Sequence, residues 1–159
     1  LEGWLNHLYQ HKQVFYRSAS IKAKDLIKGF IYHLVAQCVD QHVETVLLGL
    51  DKQITFAALD KADAQALLQD WFTLYNALLK EPVAFFPVSG YEYVKSGGDI
   101  GKAMSKFSPQ YIGRGEGENP YIRLTTQSLN ECQEEFIRWS DMLLAPLFAH
   151  AKESDHASA

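Results

Sequence analysis

The chain has 159 residues, 47% of them apolar and 21% charged, with a formal net charge of −4. That balance is ordinary for a globular protein of one domain and argues against a surface coated in basic residues for nucleic acid, although a local basic patch remains compatible with it. Cys38 and Cys132 are too few and too far apart for a disulfide framework or a zinc knuckle, no apolar run approaches the ~18 residues of a membrane span, and no signal peptide opens the chain. A reducing cytoplasm is the expected compartment, and a first residue of Leu1 within an apolar run suggests a fragment of a longer polypeptide.

In chain order, "LEGWL" (1–5) and "VFYRS" (14–18) read as two strands parted by the polar "NHLYQHKQ". From Lys22 the period changes. Leu26, Ile27, Phe30, Ile31, Leu34, Val35, Cys38 and Val39 fall on one stripe of a helix, with Ser20 as its N-cap. "VETVLLGL" (43–50) and "QITFAAL" (53–59) are β-branched runs joined by "DK", a hairpin pattern. Asp60 then caps a long helix whose expected core face is Leu67, Leu68, Trp71, Phe72, Tyr75, Leu78 and Leu79, stopped by Glu81-Pro82. Short helices are expected around 88–95 and 99–107, and a loop over 110–120. Ser128 and Glu131 form a capping box before the helix of "CQEEFIRWSDMLL", which Pro146 must kink or interrupt. The order of elements gives an α/β or α+β fold with one small mixed sheet flanked by helices, over 1–152, and a frayed tail over 153–159.

Two basic clusters stand out in this acidic chain. Arg17, Lys22, Lys24 and Lys28 face only Asp25 within 17–28, a net of +3. Lysines at a helix start oppose the helix dipole, and a bound phosphate would reverse that sign; a solvated polar face is the plain alternative. Lys95, Lys102, Lys106 and Arg114 face only Asp99 and alternate with Tyr91, Tyr93, Phe107 and Tyr111. That mixture suits nucleic-acid backbones and stacking, and equally a protein interface. Glu116 and Glu118 in "GRGEGENPY" are weak candidates for Mg²⁺, because the glycines speak first for close backbone approach. His7 and His11 have i, i+4 spacing but lie in an expected loop, and His33 reads as the polar edge of its helix. No nucleophile elbow, P-loop or dinucleotide fingerprint occurs.

The run "LEGWLNHLYQHKQVFYRSASIKAKDLIKGFIYHLV", then "TVLLGL", then "YNALLKEPVAFFPVSGYEYV", then "GRGEGENPYIRL" and a final amphipathic helix resembles the C-terminal domain of RecC, the gamma chain of exodeoxyribonuclease V. The resemblance covers about residues 1–150. It implies a restriction-endonuclease-like, PD-(D/E)XK fold in a copy that has lost catalysis. An active copy would place an acid on one strand and an acid-x-lysine on the next, so that metal and water meet at the scissile phosphate. Here "VFYRS" carries no carboxylate, Glu2 precedes a glycine, and Asp25 already belongs to the helix. The resemblance therefore implies a non-catalytic domain without metal or cofactor that guides or splits DNA, duplex fork or single strand. Its implied partners are RecB and RecD, in the bacterial cytoplasm and away from membranes. Two other readings stay open: a living Mg²⁺-dependent nuclease using Glu2, Asp25, Glu116 or Glu118, and a docking module that touches no DNA.

Overall fold

The computed structural model describes residues 5–39, 42–108 and 115–154. Two compact units are described, Leu1–Gln69 with Ala149–Ala159, and Asp70–Phe148.

The first unit is built on a five-stranded mixed sheet in the order β1 (Leu8–Tyr9), β2 (Lys12–Tyr16), β3 (Glu44–Leu48), β4 (Gln53–Phe56) and β5 (Ala151–Ser154). β2 and β3 are parallel, with Val14 opposite Val46, and helix α1 (Ala23–Val39) forms the crossover between them. The remaining neighbours are antiparallel. The "DK" hairpin is present, with Leu48 opposite Gln53. β1 arises in a stretch expected to be loop: His7 and Gln10 take φ of 64° and 57°, left-handed conformations that fold "HLYQH" back on β2. The expected strand over 1–5 lies almost wholly outside the described residues. Glu153 and Ser154, at the start of the expected frayed tail, pair with Ile54 and Gln53, and Glu153 meets Lys52 at 2.8 Å; the rest of that tail lies outside the described residues.

α1 packs closely on β3: a Cβ at Gly29 would come within 2.7 Å of the Leu47 side chain, which would have to shift to make room. Leu26, Phe30 and Leu34 are buried there, and Phe30 meets Phe56 at 5.3 Å between ring centroids. Each fully buried side chain of this size stabilises the fold by about 1.5–3 kcal/mol.

The buried face of α1 also carries His33 and Gln37, which corrects the reading of His33 as a polar edge. Both are fully buried in a polar network. His33 Nδ1 shares a hydrogen bond with Thr45 Oγ1 (2.9 Å), Thr45 donates to Gln13 Oε1 (3.4 Å), and Gln37 donates to the Val43 carbonyl (2.6 Å) and accepts from the Leu59 N–H (3.1 Å). His33 Nε2 has no partner of hydrogen-bond geometry among the described residues. Burial drives the His33 pKa down to about 4; partial support from the Ala57 backbone opposes this, and nearby His150 adds to it.

The second unit begins within α2 (Lys61–Leu78), continues through α3 (Pro87–Lys95), α4 (Ile100–Phe107) and α5 (Pro120–Arg123), and ends within α6 (Gln133–His150). The short helices α3 and α4 fall where the sequence placed them. Phe86, Tyr93, Phe107, Leu129 and Phe136 form one core cluster, while Leu74, Trp139 and Leu143 form another. The expected core face of α2 is only half right. Leu67, Leu68, Trp71 and Phe72 are half-buried, but Tyr75, Leu78 and Leu79 are exposed. α6 runs through Pro146 without interruption. Ser128 caps a 3₁₀ turn (Leu129–Cys132) through the Asn130 N–H, and Glu131 reaches back to Gln127 N–H, one residue earlier than a capping box requires.

Candidate nucleic-acid interface

The β2–α1 connection is pinned to the β3–β4 turn. Arg17 N–H donates to the Leu48 carbonyl (2.8 Å), Leu50 N–H to the Ala19 carbonyl (3.1 Å), and Ile21 N–H to Asp51 Oδ1 (2.9 Å). The Ile21 bond lowers the Asp51 carboxyl below its ordinary pKa. These bonds fix where Arg17 and the first turn of α1 stand.

Asp25 occupies the helix start. Its Oδ2 accepts from Lys22 N–H (2.9 Å) and from Arg17 Nη1 (2.5 Å). A phosphate capping α1 through its free N–H groups is therefore not the arrangement here, because an internal carboxylate already serves the helix dipole. The lysines remain exposed. Lys28 Nζ lies 5.8 Å over the Tyr32 ring, and among the described residues no carboxylate forms an ion pair with Lys22, Lys24 or Lys28. Arg17 is the one member of the first cluster whose charge is answered.

The second cluster changes more. Lys95, Lys102 and Lys106 are exposed, with Lys95 over the Tyr91 ring at 5.7 Å. Its aromatic partners, however, are spent on packing: Tyr93 and Phe107 are core residues, and Tyr91 packs on Phe148 at 5.0 Å. The alternation of lysine and aromatic residues here records the two faces of amphipathic helices. Arg114 and Tyr111 lie outside the described residues.

The glycine-rich segment is structural on its described side. α3 begins at Pro87 behind Phe86, which has no side chain able to cap it. Glu116 supplies the cap from 28 positions away, accepting from Val88 N–H (2.9 Å), Ser89 N–H (2.6 Å) and Ser89 Oγ (2.7 Å). A Cβ at Gly117 would lie 2.5 Å from the Phe107 ring, so glycine is needed for that approach. Asn119 caps α5 through Tyr121 N–H (3.0 Å), with Pro120 at the first helical position. Of the carboxylates weighed for metal, Glu116 caps a helix, Asp25 pairs with Arg17, Glu118 is exposed, and Glu2 lies outside the described residues.

Two features escaped sequence reasoning. A small cleft of about 120 Å³ lies at the C-terminal ends of β2 and β3, lined by Arg17, Ile21, Asp25, Lys28 and Leu48 among others. Tyr16, on its edge, is 80% exposed. Nothing in the uniformly apolar start of "VFYRS" marked that tyrosine as surface; only its place at the last position of β2 did.

Comparison with known proteins gives the family. The profile of the RecC C-terminal domain matches residues 1–98, well over half of the 159. The chain belongs to the RecC C-terminal domain family. No individual curated protein matches it. The RecC match takes in the whole α1 cluster and Lys95, and stops short of Lys102, Lys106 and the Glu116 segment. Family membership places the chain in the context of the RecBCD complex. Among the described residues no helix is long and apolar enough to cross a membrane.

Proposed function

We propose that this RecC domain is a non-catalytic part of the RecBCD helicase–nuclease, acting in recombinational repair of DNA double-strand breaks. It guides or splits DNA along the basic start of α1 and packs against the RecB and RecD subunits. Its sheet is that of a restriction-endonuclease-like fold whose site has lost its metal ligands. The family match carries this reading. The unpaired, exposed Lys22, Lys24 and Lys28 support DNA contact, and the structural duties of Glu116 and Asp25 support the loss of catalysis.

The test is the triple variant Lys22→Ala, Lys24→Ala, Lys28→Ala, titrated with a forked duplex over a range of salt. Losing three phosphate contacts lowers the slope of log affinity against log salt by about 2 to 3. An unchanged slope would remove the phosphate role. In parallel, end-labelled fork incubated with Mg²⁺ or Mn²⁺ is expected to stay intact; cutting that disappears in Asp25→Asn would make the domain an enzyme.

A docking module without DNA contact is the second reading. The exposed apolar end of α2 favours it, with Tyr75 58%, Leu78 51% and Leu79 66% exposed. Fork binding insensitive to the lysines, together with loss of subunit assembly in Leu78→Asp, would select it.

A further inference from the structure

We infer that Asp51, an acid in the β3–β4 turn, is a positioning residue for DNA contact by Lys22. Its carboxylate holds the backbone of Ile21 and so sets the direction in which the next residue leaves the helix start. The inference rests on the DNA-guiding reading above and deepens it.

α1 has a poor start of its own. Lys22 stands at the N-cap position, immediately before Ala23, and its carbonyl accepts from the Leu26 N–H (3.2 Å). A lysine there has no oxygen to offer the orphan N–H groups of the first turn, and it adds positive charge at the positive end of the helix dipole. Two carboxylates hold this backbone instead. Asp25 accepts from the Lys22 N–H (2.9 Å), and Asp51, 30 positions from its partner, accepts from the Ile21 N–H (2.9 Å).

The turn that carries Asp51 is itself fixed. Gly49 N–H donates to the Lys52 carbonyl (2.9 Å) within it, and Leu50 N–H donates across to the Ala19 carbonyl (3.1 Å). Gly49 is buried, and a Cβ there would lie 2.6 Å from Ile21 Cγ1 and 2.8 Å from Asp51 Oδ1. The missing side chain leaves room for both partners of the clasp. The Ile21 bond is the main cause of the lowered Asp51 pKa, and the charges of Lys52 and Lys22 add to it. By charge alone an acid near Lys22 opposes phosphate binding. By geometry it favours binding, because a strand that meets an ordered segment does not have to order it.

Asp51→Asn and Asp51→Ala carry the same charge, but only asparagine keeps an oxygen to accept from the Ile21 N–H. Fluorescence anisotropy of the purified protein with a labelled forked duplex compares them. Asp51→Ala is expected to bind roughly 2- to 10-fold more weakly than Asp51→Asn, the cost of ordering one loose segment on binding. Asp51→Asn is expected to bind at least as tightly as the wild type. In a Lys22→Ala background the gap between the two variants is expected to close, which a general loss of structure would not produce. Gly49→Ala pushes on the clasp from its other side with every charge intact, and is expected to weaken binding similarly; it decides the matter if Asp51→Ala does not fold. Equal binding by the two Asp51 variants, or a gap that persists without Lys22, would overturn the positioning role. If the three-lysine variant loses salt dependence while alanine and asparagine at position 51 bind alike, positioning fails and the DNA-guiding reading stands. If the wild-type protein does not bind the fork, both fail.

Discussion

Glu116→Ala is expected to destabilise the second unit strongly, although Glu116 is only a half-buried residue of a 3₁₀ turn (Glu116–Glu118). Its carboxylate satisfies two N–H groups at the start of α3 and the Ser89 hydroxyl, at 2.9, 2.6 and 2.7 Å. Ser89 is fully buried, so water cannot replace the carboxylate at its hydroxyl without disturbing the core. Loss of a helix cap costs about 0.5–2 kcal/mol, a buried polar group left unpaired about 1–3, and a carboxylate removed from a helix N-terminus about 0.3–1. These contributions overlap, and a combined loss of about 3 kcal/mol follows. Glu116→Gln keeps the shape and one acceptor oxygen, so its expected loss is about half of that. Urea unfolding followed by tryptophan fluorescence reads the effect, because Trp71 and Trp139 both lie in this unit. In thermal unfolding the alanine variant is expected to melt roughly 6–12 °C lower, at about 2–4 °C per kcal/mol for a chain of this size. A loss below about 0.5 kcal/mol for Glu116→Ala would refute the argument, since surface loop substitutions alone fall in that range.

Two further outcomes follow from the packing. His33 is held neutral, its pKa down at about 4 against an ordinary 6.5, so the unfolded chain binds a proton the folded one refuses. The stability this gives is complete above pH 6.5 and is lost as the pH falls toward 4, by about 3 kcal/mol in all at 1.36 kcal/mol per pH unit. Denaturant midpoints at steps between pH 7 and pH 4 measure it, and an NMR signal assigned to the His33 imidazole that titrates near 6.5 would contradict it. The depressed Asp51 carboxyl contributes in the same direction, but only below the ordinary carboxylate pKa, beneath most of the His33 window. Gly117→Ala drives a methyl group to 2.5 Å from the Phe107 ring and is expected to cost about 1–3 kcal/mol by overpacking. The double variant Gly117→Ala, Phe107→Leu is expected to recover part of that loss, and strictly additive losses in urea melts would show that the two residues do not clash.

Local signals in the sequence determined most of the elements. The stripe from Leu26 to Leu34 specifies α1, the β-branched runs around "DK" specify the β3–β4 hairpin, and Asp99 marks the start of α4, where it accepts from the Gly101 and Lys102 N–H groups. Such signals act within a few residues, so they survive without knowledge of the fold. The basic cluster at the start of α1 was legible for the same reason, being contiguous.

Tertiary structure decided what each of these residues does. His33 looks like a polar edge until Thr45 in β3 and Gln13 in β2, with Gln37 bonded to the Val43 carbonyl just before β3, complete a polar network that permits burial. Glu116 looks like a metal ligand until α3, whose own N-cap is a phenylalanine, takes its carboxylate. Tyr93 and Phe107 look like stacking residues until they meet Phe136 and Phe86. Tyr16, at the end of an apolar run, is exposed at the last position of β2. Residue type and spacing fix which side chains are available to a helix or strand. Which of them are spent on packing and which face solvent depends on partners many residues away.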